Sequence, residues 1–594
     1  MKKLIFFLII CISLLFTILY SRNAEAAIME DYCAAPPYVI QNVPPNIMII
    51  LDNSLSMYNF AYFDGFKTTT TADDNMCNSS SSPCTDFTTA GAYPTYKYYG
   101  YFSPDHWYTY GSSKFTPTDP KTGSGLSGAR AKAANEWDGN FLNWLIMRRV
   151  DVVRKIMTGG KGTPATNPTS LQAERADGYG GQYKRITIDG YVDNSLGTGS
   201  RCITVPQGAA GTSQFSVRNG AGCSDAVAGG PYSVDIVVLS SALPVEGVLQ
   251  RAVGAKARIG LTFYKSDNEG GYVQTSVTGT SLSAVINQIR NTPPATYTPL
   301  GESLWTVTGY FAQQASIAGG PGPRYASGDF QINNTNDPLN YGTGGSPVYR
   351  SCGKSFVLLL TDGEPYSDGN LPNGATSILN YAQGKSSFNC GAPNASDYCP
   401  ATAGIAPETY SFPAQTSNTS GVEDVALYMH TTDLRNSPTL GSNNISGTQN
   451  LMLYVVSAFG RGSTILRYAA INGGFEDSNS NNIPDFQLEW DNNGDNVPDT
   501  YYEADDGAEL ETSIEAALST MLRRASSGTA ASVLASGEGR GANLLQAVFY
   551  PRRAFGNDVI GWTGSLQNLW YYVDPLFTYS NIREDTNADK ILNL

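Results

Sequence analysis

Two short runs constrain the fold of this 594-residue chain more than any other feature: NIMIIL at 46–51 and SFVLLLT at 355–361. Both are apolar almost without interruption, the pattern of a strand covered on both faces rather than one. Each runs straight into an aspartate, Asp52 and Asp362. The stretches around them alternate in period. ARIGLTFYK (257–265) and GYVQTSVTG (271–279) read as strands, SLSAVINQIRNT as a helix, and ATYTPLGESLWTVTGYFAQ as a loop entering a helix. After 361 come helix VEDVALYMHTTD, strand LMLYVVSAFG, helix TILRYAAIN, strand DTYYEAD and helix AELETSIEAALSTMLRR. Strands alternating with helices predict an α/β fold, a doubly wound and mostly parallel six-stranded sheet.

The remaining sequence reads as insertions into that frame, at about 58–135, 159–250, 316–350 and 366–415. The first is rich in aromatics that either pack on one another or form a contact surface. It also contains GSGLSG (123–128), a formal G-x-G-x-x-G that lacks a preceding strand and is assigned to a linker. FLNWLIMRRVDVVRKIM places Phe141, Leu145, Val152 and Ile156 on one helical face and stops at Gly159. From Ser526 to Leu594, NLLQAVFYPRR and IGWTGSLQNLWYYVDPLF read as antiparallel strands with Gly-Trp and Gly-Ser turns.

Lys2 and Lys3 precede an apolar core, and Ala24-Glu25-Ala26 supplies the small residues of a cleavage site, so residues 1–26 read as a secretory leader. Cysteine usage fits an exported chain. The eight cysteines after the leader pair locally as Cys77–Cys84, Cys202–Cys223 and Cys390–Cys399, which leaves Cys33 with Cys352; other pairings stay open. The net charge of −14 argues against nucleic-acid binding, which runs on clustered Lys and Arg. With two histidines, His106 and His430, and neither in a catalytic motif, no enzyme constellation is expected.

Asp52 opens D-x-S-x-S with Ser54 and Ser56, Thr298 sits just before a helix, and Asp362 follows the second apolar strand. In an open parallel sheet, ligands gather beyond the C-terminal strand ends. Two carboxylates and three hydroxyls there suit Mg²⁺ (or Mn²⁺), a hard cation that keeps open positions for water or a partner's carboxylate. These residues, in this order, resemble the metal-ion-dependent adhesion site of von Willebrand factor A domains. The resemblance covers about 46–525, with residues 27–525 as the domain. It implies Asp52, Ser54, Ser56, Thr298 and Asp362 as ligands. Leu55 departs from the glycine common in that family.

A second candidate is a fourteen-residue duplication, DSNSNNIPDFQLEW followed by DNNGDNVPDTYYEA. It aligns Asp477, Asn479, Asn481, Asp485 and Glu489 with Asp491, Asn493, Asp495, Asp499 and Glu503. Oxygens on alternate positions wrap Ca²⁺ in compact loops. Glu falls at position 13 rather than the EF-hand's 12, and the loops resemble thrombospondin type 3 repeats. A weaker fragment holds Asp585, Asn587 and Asp589.

Leader, interrupted A-type domain, calcium-like loops and a β-region together resemble the PilC/PilY-type type IV pilus tip proteins, whose C-terminal part is a β-propeller. That resemblance implies a non-enzymatic pilus-tip adhesin or assembly factor at the cell surface. It would meet minor pilins, a host or abiotic surface ligand bound through a carboxylate, and a polypeptide completing the propeller. Two other readings are a secreted metal-dependent hydrolase, with Glu364 as base, and an extracellular matrix-binding A-domain protein unrelated to pili.

Overall fold

The computed structural model describes residues 43–62, 97–121, 130–371 and 421–525 with short interruptions, Ile378 and Tyr381, and the backbone of strands at 84–85 and between 529 and 584. The leader, GSGLSG, the fragment at 585–589 and Cys33, Cys77, Cys352, Cys390 and Cys399 lie outside them, as does the Cys84 side chain. Cys202 and Cys223 form the expected bridge, with Cα atoms 5.1 Å apart.

The central sheet holds six strands: β1 (Asn46–Leu51), β2 (Arg258–Tyr264), β3 (Gly271–Thr278), β4 (Ser355–Thr361), β5 (Leu451–Ala458) and β6 (Tyr501–Ala504). Their order is β3-β2-β1-β4-β5-β6, with β3 antiparallel to β2 and every other pair parallel. The two apolar runs are β1 and β4, side by side in the middle, with Asn46 opposite Ser355 and Leu51 opposite Leu360. Burial on both faces follows from the pleat, which sends alternate side chains to opposite sides.

Ile47, Ile49 and Leu51 share one core with α2 (Arg149–Thr158), α3 (Leu282–Asn291) and α8 (Gly507–Ala525). Met48 and Ile50 share another with α4 (Leu300–Ala312), α5 (Val422–Thr431) and α6 (Thr464–Gly474). The α/β architecture and its element boundaries follow the sequence pattern closely. Among the described residues no helix is long and apolar enough to cross a membrane.

Three expectations change. The run 141–157 is two helices, α1 (Gly139–Ile146) and α2, because the extended pair Met147-Arg148 interrupts it. The interruption has a tertiary cause. Ala61 N–H donates to Met147 O at 2.9 Å and Arg149 N–H to Asn59 O at 3.0 Å, so the segment after β1 pairs with the break. Arg148 is buried and donates to the carbonyls of Tyr58 and Glu174. The expected stop at Gly159 holds, with φ +85° where a side chain would be strained.

The first two insertions build sheets where mostly loops were expected; only KRITIDGYV (184–192) and YSVDIVVLS (232–240) of the second read as strand-like in sequence, and they fall on strands 182–188, 227–233 and 235–237. Strands 106–111, 114–120 and 136–138 from one join 162–163, 170–172 and 235–237 from the other in a single six-stranded sheet. Strands 182–188, 199–205, 214–218 and 227–233 form most of a five-stranded sheet. Phe115, Trp137 and Phe215 bridge the two, with Trp137 and Phe215 ring centres 5.7 Å apart. Tyr101, Phe102, Tyr108 and Phe115 are buried, so these aromatics of the first insertion pack inward.

Beyond α8, β7 (Thr529–Ala535), β8 (Ala542–Phe555), β9 (Asp558–Val573) and β10 (Ser580–Glu584) form an antiparallel meander in that order. Gly561-Trp562 and Gly564-Ser565, expected as turns, lie inside β9, where Gly564 pairs with Phe549.

Candidate functional site

The first candidate lies at the C-terminal edge of β1 and β4. Because these strands are parallel neighbours, Asp52 and Asp362 leave the sheet side by side, though hundreds of residues separate them. Both are buried, as are Ser54 and Thr298, while Ser56 is partly open. Ser54 N–H donates to Asp52 Oδ1 at 2.7 Å, and the hydroxyls of Ser54 and Ser56 lie 2.7 Å apart. Ser56 Oγ donates to Asp362 Oδ1 at 2.7 Å. Thr361 Oγ1 donates to Asp52 Oδ2 at 2.7 Å. Four of the five expected residues therefore converge through their side-chain oxygens.

Thr298 reaches the same edge through its loop. Leu55 N–H donates to Thr296 O at 2.9 Å, and Tyr366 N–H donates to Thr298 O at 2.9 Å. The 296–298 loop thus lies between the loops that follow β1 and β4. Asp368 fixes its exit by accepting from the N–H groups of Gly301 (2.8 Å) and Glu302 (2.9 Å) at the start of α4.

Burial, then the charge of Asp362, pushes the Asp52 carboxyl up from 3.8 to about 7. A cation between the two carboxylates would relieve both effects. The donors present, all oxygen and of modest charge, fit a hard divalent ion. One residue works the other way, and sequence reasoning missed it. Arg149 Nη1 donates to Asp362 Oδ2 at 2.9 Å, with both side chains buried. The helix break at 147–148 delivers this guanidinium to the site, where it supplies positive charge that a metal would otherwise provide. Its signal was the Arg148-Arg149 pair inside an apolar run, a costly placement unless each charge has a partner.

The second candidate is local. Its two loops repeat in backbone as well as in sequence: Ser480 and Gly494 have φ of 61° and 75°, and Asn482 and Asn496 have 61° and 64°. Asp477 accepts from the N–H of Asn482, and Asp491 from that of Asn496, both at 2.8 Å. Asn479 and Asn493 accept from the residue two further on, at 3.0 Å in each loop. Asn481 and Asp495 do the same toward Ile483 (2.9 Å) and Val497 (2.8 Å).

Asp485 gathers the amides of Asn479 and Asn481. Asp499 takes that of Asn492. Buried Glu489, on α7 (Gln487–Trp490), returns to the first loop through the N–H and hydroxyl of Ser478. Glu503 breaks the symmetry and stands exposed on β6, opposite Ser457. Among the described residues no three His, Cys, Asp or Glu side chains form a metal-binding group, so both candidates depend on hydroxyl or amide oxygens as well.

The two histidines and Glu364 each have a hydrogen-bond partner. His430 is buried with its ring nitrogens against the carbonyls of Leu451 and Phe475, and His106 meets the Ser103 hydroxyl. Glu364 accepts from Ser463 Oγ at 3.2 Å.

Residues 91–193, which deliver Arg149, match the family described as PilY1 homolog, small alpha/beta domain. The type IV pilus biogenesis factor PilY1 homolog of Xylella fastidiosa (strain Temecula1) is 30% identical over 99 residues, 16% of this chain and 6% of that relative. The match thus spans a small fraction of the relative's length. The pilus adhesin SpaC from Lactobacillus rhamnosus GG aligns over 82% of this chain and 55% of its own at 11% identity. Its TM-score of 0.20 is too low to bear on fold or function.

Proposed function

We propose, from the likeness of residues 91–193 to the PilY1 homolog small alpha/beta domain, that this chain serves type IV pilus biogenesis as an exported, tip-associated binding protein. The single observation carrying this is the family match at 91–193. The convergence of Asp52, Ser54, Ser56 and Asp362 at one sheet edge supports a way for such a protein to bind. In this reading residues 27–525 are an A-type domain with insertions and 526–594 begin a β-propeller-like region.

Asp52, Ser54, Ser56, Thr298 and Asp362 would hold Mg²⁺ or Mn²⁺. When bound, the ion supplies a positive centre for a carboxylate of a surface ligand. The chain's own residues do the rest. Thr361 and the Ser54 N–H orient Asp52, Ser56 offers the one partly open hydroxyl, and Arg149 holds Asp362 in place. The duplicated loops would hold Ca²⁺ and brace β6. Minor pilins are the expected assembly partners.

The test is a deletion strain complemented with wild type or Asp52→Ala. Wild-type protein should co-purify with sheared pili and restore both piliation and attachment. Asp52→Ala should restore piliation but not divalent-dependent attachment. Absence of the wild-type protein from sheared pili, with normal piliation in the deletion strain, would remove the reading.

A further inference from the structure

The rim of the Asp52–Asp362 cluster carries two aromatic rings that neither the sheet nor the oxygen donors require. Tyr297 is 44% exposed and Tyr366 54%. Their ring centres lie 5.2 Å apart with planes at 83°, an edge-to-face pair. Aromatic area left in water is area that an interface can bury, and tyrosine is enriched in interfaces for that reason. Backbone geometry fixes the pair to the site. Tyr297 precedes Thr298, Tyr366 follows Asp362 by four residues, and Thr298 and Tyr366 form an antiparallel bridge. Thr296 Oγ1 donates to Asn53 O at 3.1 Å, tying the first of these loops to the segment after Asp52. Ser367 takes a φ of 56°, a left-handed conformation uncommon for serine, between Tyr366 and the buried Asp368. The two rings thus stand on anchored backbone beside the cluster.

Three features describe what this rim admits. The oxygens are recessed: Asp52, Ser54, Thr298 and Asp362 are buried, and Ser56 is partly open. A ligand carboxylate must therefore arrive on a narrow stem, such as the methylene chain of an acidic side chain, because a carboxyl set directly on a ring brings bulk to the rim. The approach past Gly363 is clear, since a Cβ there would meet no atom within 4 Å. Glu364 stands exposed two residues beyond Asp362 and repels a second negative charge. The group beside the carboxylate is then not acidic, and the tyrosine rings favour an apolar one.

Taking the metal site proposed above as the anchor of the carboxylate, we propose that Tyr297 and Tyr366 determine the specificity of this site. The ligand they select is an isolated acidic side chain of a polypeptide, flanked by an aromatic or other apolar residue. The ion binds the carboxylate, and the ring pair chooses among carboxylates by what stands next to them.

Fluorescence anisotropy on the full chain in Mg²⁺ tests this with two dye-labelled peptides, acetyl-Gly-Phe-Glu-Phe-Gly-amide and acetyl-Gly-Gly-Glu-Gly-Gly-amide. Wild type should bind the first about tenfold more tightly, the scale of a well-packed aromatic contact. Tyr297→Ser/Tyr366→Ser should bring the ratio near one, and Tyr297→Phe/Tyr366→Phe should keep it. Equal affinity of wild type for the two peptides, binding of neither, or a ratio that survives the serine variant overturns the proposal. Mg²⁺ calorimetry on the same samples exposes a merely structural role: a serine variant that loses Mg²⁺ would reduce the rings to supports of the 296–298 loop and overturn it too. Galacturonic acid bound through the tyrosines, with no preference between the peptides, would make an acidic sugar the ligand, and the polypeptide proposal falls. If wild type takes up no Mg²⁺ yet keeps the tyrosine-dependent ratio, the specificity proposal stands and the metal reading falls.

Discussion

The Asp52–Asp362 cluster and the Asp477–Glu503 loops use the same atoms but are assembled in opposite ways. In the cluster, Ser56 and Asp362 bond across 306 residues of chain, and the geometry exists only because β1 and β4 are neighbours. In the loops, Asn479 reaches Asp485 across six residues. The cluster also has an internal cation, Arg149, so its charge is partly balanced without metal. The first loop's acids are held by their own backbone and by asparagine amides. A metal at the cluster should therefore tune binding against a built-in competitor, whereas a metal in the loops should set local stability.

The largest effect is expected at Arg149. Arg149→Ala strands Asp362 in a buried site, and breaking a buried pair costs roughly 3–5 kcal/mol. If the cluster takes Mg²⁺, saturating Mg²⁺ should recover much of that loss and Mg²⁺ should bind the variant more tightly than wild type. Denaturation curves with and without Mg²⁺ decide it: a destabilisation that ignores Mg²⁺ means that Arg149 is the site's permanent counter-ion.

Next comes calcium removal. A ligand binding only the folded form adds about 2.7 kcal/mol at a hundredfold excess over Kd. Chelation should lower the melting temperature of wild type and open the 475–506 window to protease, while Asp477→Ala/Asp491→Ala should already be open and indifferent to chelator. Wild-type melting and proteolysis unmoved by chelator would reduce the loops to polar turns.

How much of this contrast could be read from sequence follows from the same distinction. The loops were legible nearly whole, because side chains two and four residues apart act within one turn of chain. Only Glu503 stands apart from its counterpart Glu489, drawn onto β6 by strand pairing. The residues of the cluster were legible because apolar strands announce where they end. Arg149 was not, since the helical period of 141–157 gave no hint that Met147-Arg148 would pair with 59–61 instead. The two inner sheets were hidden for a related reason: strands 114–120 and 235–237 meet from different insertions, and no local pattern records a partner that far away.

A smaller effect is expected from pH. In chelator, the buried Asp52 carboxyl, raised to about 7, keeps a proton that the unfolded chain has released above 3.8. Its contribution is thus full below pH 4 and is lost as pH rises through 7. Asp151, also raised to about 7 by burial, has the same sign. Asp52→Asn should flatten the slope by on the order of 1–2 kcal/mol across that window, leaving the Asp151 part. Mg²⁺ should flatten it in wild type alone. A slope unchanged by Asp52→Asn would place the proton elsewhere.

The smallest effect sharpens the comparison most. Thr361→Val and Ser478→Ala each delete one hydroxyl that donates to a buried carboxylate, to Asp52 at 2.7 Å in the cluster and to Glu489 at 2.7 Å in the loop. Each should cost about 1 kcal/mol, the net worth of one such bond. Their metal dependence should differ. Asp52 keeps the Ser54 N–H and stays buried, so Thr361→Val should weaken Mg²⁺ binding and leave the chelator-induced melting shift unchanged. Glu489 ties α7 back to the first loop, so Ser478→Ala should enlarge that shift and leave Mg²⁺ binding alone. Paired melting curves and calorimetry on the two variants measure this, and a crossed result, with either variant moving both metals, would show that the two regions are coupled through the sheet rather than independent.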